Sequence, residues 1–225
     1  MIIKPIDTFE EIKSVSEVEA ETWGMQSGNT VPDHVLAAIA RNGGFLLGAY
    51  EDEKLIGYTL GWLGTSSPSS PEPAAGRLKL VSHMTGVLSQ YRDRRVGYHL
   101  KLAQRDWALG QGLDLITWTY DPLESRNGYF NIHLLGCVCD TYLRNYYGEM
   151  SDKMNEGIFS DRFKVDWWIN QPGIERALSR KIDFPVSSDQ GLSNVNQPTK
   201  TPDGLIKPSP QISQDNASRI LVDPS

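Results

Sequence analysis

The fold of this chain is decided by the stretch GVLSQYRDRRVGYHL, residues 86–100. An apolar run over Leu78–Leu88 has the composition of a β-strand and leads into a short loop of small and cationic residues. The loop opens directly into a predicted helix, Arg94–Leu109, whose apolar residues recur at intervals of 4, 3 and 4: Val96, Leu100, Ala103 and Trp107. The stretch therefore predicts a strand, a cationic turn and an amphipathic helix in immediate succession.

The start of this helix is a candidate anion site. The first-turn N–H groups of a helix are unpaired and carry partial positive charge, so a diphosphate can accept several hydrogen bonds there at once. Full charges stand nearby on Arg92, Arg94 and Arg95. A solvated basic helix start would contain the same residues, and this alternative stays open. The stretch is neither a Walker loop nor a dinucleotide fingerprint, because G-K-[ST] and the three glycines of G-x-G-x-x-G are both missing.

The segments on either side alternate between strand and helix patterns. Further strands are predicted over Ile2–Ile6, Gly44–Tyr50, Lys54–Leu63, Leu113–Tyr120, Cys137–Tyr147 and Arg162–Ile169. Further helices are predicted to start at the capping box Thr8-x-x-Glu11, at Pro32, and at Asp121-Pro122, the last of them ending at Gly136. The order β-α-α-β-β-β-α-β-α-β-β predicts a mixed α/β layer.

Composition and charge narrow the class of protein. Of the 225 residues 39% are hydrophobic and 22% charged, which is ordinary for a globular domain and excludes a wholly disordered chain, a collagen and a coiled coil. Lys and Arg total 22 against 28 Asp and Glu, so the net charge of −6 makes a polyanion a poor partner. We therefore expect no nucleic-acid binding unless a local basic patch forms.

Two cysteines, Cys137 and Cys139, are too few for a disulfide scaffold and have no second pair with which to build a four-ligand zinc site. We expect two reduced strand thiols and no metal. No apolar run approaches the ~18 residues needed to span a bilayer. The N-terminus shows no basic leader followed by an apolar stretch, so a cytoplasmic protein without membrane contact is expected.

The C-terminal part differs from the rest of the chain. No aromatic residue follows Phe184, while six of the 13 prolines fall within residues 185–225. Such a segment buries too little apolar area to offset the entropy of ordering it. We predict one domain over residues 1–184 and an extended or poorly ordered arm over 185–225, with Ile220-Leu221-Val222 as a candidate short strand. Whether the protein ends in this arm or once continued beyond it stays open.

The hexapeptide Arg-Asp-Arg-Arg-Val-Gly at residues 92–97, taken with the order of the elements, resembles the GNAT superfamily of acyl-CoA-dependent N-acetyltransferases. The signature of that family at this turn is Arg or Gln, two residues, Gly, one residue, then Gly or Ala. Arg92 and Gly97 match its two ends, whereas Arg95 stands where the family usually has Gly. The resemblance covers residues 2–169, and residues 81–168 look like a group of uncharacterised predicted acetyltransferases within the family.

This resemblance implies a fold and a ligand. The fold is a mixed, mostly antiparallel central sheet flanked by helices, in which two middle strands, Ser82–Leu88 and Leu115–Tyr120, splay apart. The pantetheine of acetyl-CoA, the implied co-substrate, would enter the gap, and its diphosphate would lie on the turn. Backbone N–H groups near Val87 and Leu88 would face the thioester carbonyl. The implied CoA-binding residues are Val87, Leu88, Arg92, Asp93, Arg94, Arg95, Val96, Gly97, Tyr98 and Asn127.

The arginine at position 95 allows two outcomes. If the site needs a positive φ or a close approach of the ligand to the backbone, Arg95 strains the loop or blocks the diphosphate. If the backbone is helical, Arg95 adds a phosphate partner without strain. We expect the helical form because position 95 falls in the first turn of the predicted helix.

Acyl transfer to an amine needs a group that removes a proton from the amine and a group that protonates the thiolate. His83 is the candidate base because its unperturbed pKa of ~6.5 suits proton transfer near neutrality; a satisfied strand histidine is the alternative. By the resemblance, Asn127 would contact pantetheine, and a tyrosine further along the same helix would protonate the sulfur. The usual tyrosine position holds Ile132, so Tyr129, one turn earlier, is the candidate acid, with a core or rim tyrosine as the alternative.

These expectations predict an N-acyltransferase that moves an acetyl or short acyl group from CoA directly to an amine of a small molecule or peptide. The acceptor would lie under the first helices and the loop at 64–77. A non-catalytic acyl-CoA-binding module of the same fold is the first alternative, favoured by Arg95 and Ile132. A nucleic-acid-binding domain is the second, with a basic stripe formed by Arg92, Arg94, Arg95, Lys101 and Arg105. A homodimer is left open.

Overall fold

The structure, a computed structural model, describes residues 1–25, 30–66, 76–148, 159–179, 199–200 and 206–207. The chain divides into two compact units, Met1–Arg180 and Lys181–Ser225. Most of the loop predicted to cover the acceptor, residues 67–75, lies outside the described residues, as do most of the predicted arm and the candidate strand at 220–222. The domain limits at 184 and 185 stay a prediction.

A seven-stranded sheet organises the first unit. Its strands are β1 (Ile2–Pro5), β2 (Phe45–Glu51), β3 (Lys54–Thr65), β4 (Leu78–Val87), β5 (Ile116–Tyr120), β6 (Val138–Leu143) and β7 (Arg162–Trp167). They lie in the order β1-β2-β3-β4-β5-β7-β6, and every neighbouring pair is antiparallel except the parallel pair β4–β5. The prediction of a mixed, mostly antiparallel sheet is confirmed.

Helices cover both faces of this sheet. The α-helices are α1 (Phe9–Trp23), α2 (Asp33–Arg41), α3 (Val96–Gly110), α4 (Ser125–Gly128) and α5 (Pro172–Leu178). The predicted capping box starts α1, because the Thr8 hydroxyl accepts from the Glu11 amide at 3.2 Å while the Glu11 carboxylate accepts from the Thr8 amide at 3.1 Å. Four of these helices, α1, α2, α3 and α5, bury apolar residues, among them Ile12, Leu36, Leu100 and Ile174.

The two faces have separate apolar clusters. On one face α1 and α2 bury Ile12, Val15 and Leu36 against Tyr58 and Leu60 of β3. On the other face α3 buries Val96 and Leu100 against Ala49 and Ile56. The sheet therefore separates the α1/α2 side of the molecule from the α3 side, and this division decides which side chains can meet at the site described below.

The elements after β5 are shorter than predicted. The helix expected from Asp121 begins only at Ser125, because the Asp121 carboxylate accepts from the Leu123 amide at 2.8 Å and holds a turn there. A π-helix follows α4 over Tyr129–Leu134, in place of a continuous α-helix. The strand expected over 137–147 ends at Leu143, since the chain then turns through Asn145 at φ 44°.

The second unit contains a short antiparallel pair, β8 (Thr199–Lys200) and β9 (Ile206–Lys207). In the part of the chain that the structure describes, no helix has the length and apolar character to cross a membrane.

Candidate active site

The cationic turn joins β4 to α3 through a 3-10 helix and a single left-handed residue. The 3-10 helix spans Ser89–Arg94, and Arg95 has φ 59° and ψ 20°. The expectation of a helical backbone at Arg95 is therefore wrong. Arg95 ends one helix and caps the next, and a left-handed residue is the common way to end a helix. Glycine adopts this conformation without strain, which explains why the family signature usually has glycine here.

The first turn of α3 leaves its backbone amides open. The His99 amide donates to the Arg95 carbonyl at 3.1 Å, so the three preceding amides, of residues 96–98, have no acceptor within the helix. The Arg95 side chain does not cap them. A Cβ placed on Gly97 would meet Val87 Cγ2 at 3.9 Å and nothing nearer among the described residues. The amide donors and the open surface over Gly97 together fit a group with several anionic oxygens.

The charged side chains of the turn form hydrogen bonds and ion pairs with other segments of the protein. Arg94 forms a two-pronged ion pair with Glu51, one contact of which measures 2.8 Å, and this pair raises the pKa of Arg94. Arg92 donates to the Thr22 carbonyl at 3.1 Å, and Asp93 accepts from Arg126 at 2.9 Å. These side chains are exposed, and exposed ion pairs contribute little free energy, so an incoming diphosphate can compete for the guanidinium groups.

The strands β4 and β5 pair over only two residues. Leu80 pairs with Ile116 and Val81 with Thr117, after which the pairing stops, although β4 continues to Val87 and β5 to Tyr120. The implied splaying of the two middle strands is therefore present. We call the point after the last pair the vertex of the gap.

Backbone groups of β4 point into this gap at alternate residues. Leu88 donates to the Ile56 carbonyl at 3.0 Å, so the prediction that its N–H faces the thioester is wrong. This bond also makes Val87 and Gly57 a non-hydrogen-bonded antiparallel pair, which turns the N–H of Val87 away from β3. By the same alternation the N–H of Thr85 turns the same way, a donor that the sequence did not suggest.

A β-bulge in β4 sets the position of His83. Leu60 of β3 pairs with Met84 and Gly61 pairs with Ser82, so His83 lies between them without a partner on β3. Its ring packs against Trp62, with centroids 4.8 Å apart, and Trp62 belongs to the α1/α2 side. The side chain reaches solvent, and partial desolvation lowers its pKa below 6.5. His83 therefore stays neutral, and able to accept a proton, at neutral pH.

A buried lysine lies on the opposite side of the vertex. Lys101 of α3 is 4% exposed, and its Nζ donates to Ser82 Oγ at 2.8 Å and to Gln104 Oε1 at 3.2 Å. The same Nζ lies 3.9 Å from the ring centroid of Trp118 on β5. Burial lowers the pKa of Lys101 to about 7. Sequence reasoning placed this lysine on a basic surface stripe; the signal that could have found it is its spacing of three from Gln104 on the buried side of α3.

The basic stripe proposed for nucleic acid does not form as predicted. Lys101 is buried, and Arg105 donates to the Ile169 carbonyl at 3.0 Å and forms an ion pair with Glu175. With Arg94 paired to Glu51, three of the five cations of the stripe are thus committed inside the fold or to a carboxylate.

The segment after β5 holds the two residues taken from the resemblance. Asn127 is exposed on α4, so water can satisfy its amide. Tyr129 is half-buried and stacks on His133 with ring centroids 4.8 Å apart. Asn131 is buried at 3% exposure, and the sequence did not single it out. Since the π-helix changes the direction of side chains after Gly128, α-helical spacing does not predict which of them faces the gap.

A buried carboxylate on the α1/α2 side was also missed. Glu19 of α1 is fully buried; its Oε1 accepts from the Tyr58 hydroxyl and its Oε2 from the Val31 amide, both at 2.8 Å. Burial raises the pKa of Glu19 above its usual value. The carboxylate thereby ties α1 to β3 and to the segment before α2.

The two cysteines are free thiols, with Cys137 buried and Cys139 half-buried. Burial raises the pKa of Cys137, so its thiol stays neutral. Within the described ranges, no three His, Cys, Asp or Glu side chains gather in a way that could hold a metal ion.

Comparison with known proteins gives a structural likeness without a sequence match. No protein-family model matches the chain, and no curated protein matches it. It is similar in structure to the ribosomal-protein-S18-alanine N-acetyltransferase from Escherichia coli, with a TM-score of 0.56 and 12% identity over 81% of this chain and 99% of the other. It is also similar to Chaetomium thermophilum Naa20 in complex with a bisubstrate analogue, with a TM-score of 0.59 and 13% identity over 83% and 93% of the two chains.

A third similar structure is a protein assigned to the GNAT family of acetyltransferases, from Desulfovibrio desulfuricans. Its TM-score is 0.53, with 11% identity over 75% of this chain and 98% of the other. The likeness covers 93% or more of the length of each of these three proteins. The chain therefore has the GNAT acetyltransferase fold.

Proposed function

We propose that this protein is an acyl-CoA-dependent N-acyltransferase, which moves an acetyl or short acyl group from CoA to an amine of a small molecule or peptide. The observation that carries the proposal is the parting of β4 and β5 after Val81 and Thr117, next to the uncapped amides at 96–98. The gap and the helix start are continuous along β4, so one elongated molecule with an anionic end and a thioester end fits both. The similar proteins named above support the same chemistry, since one is an N-acetyltransferase and another holds a bisubstrate analogue.

The binding residues follow from this arrangement. The amides at 96–98 would hold the diphosphate of acetyl-CoA, with Arg92, Arg94 and Arg95 at the rim. The N–H of Val87 and that of Thr85 would pair with pantetheine or stabilise negative charge on the thioester oxygen during the reaction. When bound, acetyl-CoA supplies an activated acyl group, and the protein has only to position it and move protons.

The reaction needs the amine to lose a proton on the side from which it attacks. His83 occupies the vertex from the α1/α2 side, with its pKa lowered by partial desolvation, so it can accept this proton at neutral pH. Tyr129 remains the candidate that the resemblance suggests for protonating the sulfur. Asn127 remains the candidate for contact with pantetheine, and its exposed amide is free to turn toward a ligand in solvent.

A binding experiment tests the proposal directly. Calorimetric titration of the full chain with CoA should show one site, and Gly97→Asp should abolish binding because a carboxylate would meet the diphosphate at the open amides. Gly173→Asp is a matched control, since Gly173 is likewise the second residue of a helix, α5, with nothing within 4 Å of a Cβ. Equal CoA affinity for wild type and Gly97→Asp would refute the diphosphate site.

Turnover separates the enzyme from the binding module. If the protein is an enzyme, it should release the free CoA thiol from acetyl-CoA in the presence of a panel of amines. A binding module would bind acetyl-CoA but leave its thioester bond intact. The acidic balance of the chain favours a cationic or neutral amine. A cytoplasmic location, the absence of nucleic-acid and membrane partners, and a homodimer stay predictions.

A further inference from the structure

The vertex of the gap is flanked by two ionisable groups, one on each face of the sheet. Ser82 directly follows Val81, the last β4 residue that pairs with β5, and Trp118 directly follows Thr117, its partner. Lys101 Nζ contacts the Ser82 hydroxyl at 2.8 Å and the Trp118 ring at 3.9 Å. The ammonium group thus lies against the first residue of each strand beyond the last pair, at the point where the two strands part.

In the part of the chain that the structure describes, the hydrogen-bonding surroundings of Lys101 are polar but contain no paired carboxylate. Its hydrogen-bond acceptors are the neutral groups of Ser82 and Gln104, and no ion pair joins Lys101 to a carboxylate among the described residues. The Cys137 thiol also acts on Lys101, and burial keeps this thiol neutral. Asp166 of β7 acts on Cys137 and is itself 3.2 Å from Lys164.

A buried ammonium group without a carboxylate partner is destabilising, because the loss of hydration is not offset by a counter-charge. An apolar residue at this position would fill the same space at lower free energy. A negative charge that develops next to Nζ only during the reaction would make this cation favourable. The gap offers such a charge at its vertex, where the acyl–sulfur bond of a bound thioester would lie under the proposed function.

We propose that Lys101 protonates the sulfur of CoA as it leaves. The inference rests on the proposed function and assigns to Lys101 the role that the resemblance suggests for Tyr129. Lys101 approaches from the α3 side, whereas His83 approaches from the α1/α2 side, so the proton acceptor and the proton donor stand on opposite faces of the sheet. A thiol has an unperturbed pKa of ~8.5, so transfer from a lysine whose pKa burial lowers to about 7 is downhill.

The amine nitrogen forms a bond to the acyl carbon and passes one proton to His83. The carbon–sulfur bond then breaks, its electron pair goes to sulfur, and the sulfur takes a proton from Lys101 Nζ, which is left as a neutral amine. The products are the amide and the CoA thiol, and solvent exchange returns a proton from His83 to Lys101.

The experiment measures ionisation of the bound thiol without any acceptor. The full chain is saturated with CoA, and the ultraviolet absorbance of the thiolate is recorded against pH for wild type, Lys101→Met and the control Lys54→Met, an exposed lysine at the start of β3. Below pH 7, where Lys101 carries its proton, removing the cation should lower the thiolate fraction of bound CoA about tenfold. Lys54→Met should match wild type. Binding of CoA itself should persist in both variants.

The kinetics of acyl transfer give a second measurement, beside the titration of the bound thiol. With acetyl-CoA and any accepted amine, Lys101→Met should lower kcat about 100-fold, the lower range for general acid catalysis, and should abolish the fall in rate above pH 7. Lys54→Met should leave the rate and this alkaline fall unchanged. An unchanged thiolate fraction below pH 7 in Lys101→Met together with normal CoA binding would overturn the role of Lys101 alone, whereas failure of wild type to bind CoA would overturn the proposed function as well.

A wild-type measurement covers the case in which Lys101→Met fails to fold. The NMR shift of Lys101 Nζ in the 15N-labelled protein should titrate near pH 7, and its pKa should rise when the CoA thiolate binds. A Lys101 that titrates above pH 9, or one whose titration CoA does not move, would equally overturn the proposal.

Discussion

Replacing Arg95 with glycine should stabilise this protein, although it removes a charge from the candidate diphosphate site. Arg95 has φ 59° and ψ 20°, a conformation that costs a residue with a Cβ about 1–2 kcal/mol. Glycine escapes this strain but loses more conformational entropy on folding, by about 0.5–1 kcal/mol. The difference leaves Arg95→Gly more stable by about 1 kcal/mol, which raises the Tm of a unit of this size by about 2–4 °C.

Arg95→Ala is the matched control, because alanine removes the guanidinium but keeps the Cβ and with it the strain. Asparagine tolerates the left-handed conformation, so Arg95→Asn should lie between the two. Thermal unfolding of the four proteins in one buffer gives the order Gly, Asn, then Ala and wild type from most to least stable. A glycine variant no more stable than the alanine variant would show that the backbone at 95 is not strained. CoA affinity should fall equally in the Gly and Ala variants, since both lose the same charge.

Three further predictions concern the buried acid, the candidate base and the arm. Glu19→Leu removes the acceptor of both the Val31 amide and the Tyr58 hydroxyl and should destabilise the fold by about 1–3 kcal/mol at acid pH. Because burial raises the folded-state pKa of Glu19, wild type loses stability as pH rises above the usual carboxyl range. Urea unfolding at several pH values should therefore show that the difference in free energy of unfolding between wild type and the variant narrows as pH rises. A difference that widens would contradict the prediction. His83→Ala should lower turnover and remove the acidic limb of the pH–rate profile, whereas an unchanged limb would make His83 structural. Deleting the residues after Phe184 should leave the Tm of the rest nearly unchanged, and a large drop would show that the arm packs on it.

The turn at 86–100 was predictable because its signals are local. A strand that runs into small and cationic residues and then into an apolar helical stripe is set by neighbours in sequence, and the capping box at Thr8 likewise depends on contacts three residues apart. Where a local pattern gave a wrong prediction, the reason was a single hydrogen bond or the backbone conformation of a single residue. The side chain of Asp121 held a turn that delayed α4, and Arg95 adopted a conformation that its residue type disfavours.

The sequence by itself determined the order of strands and helices and the cationic start of α3, since each depends on periodicity or spacing within one segment; the mostly antiparallel sheet was implied by the resemblance. Only the tertiary structure decided which groups meet at the vertex. The bulge opposite Leu60 gives His83 its place, and β4 and β5 must part before Lys101 can lie between Ser82 and Trp118. Those contacts join α3 to two strands at separations of 17 and 19 positions along the chain, and a buried lysine looks like a surface lysine until the elements that cover it are in place.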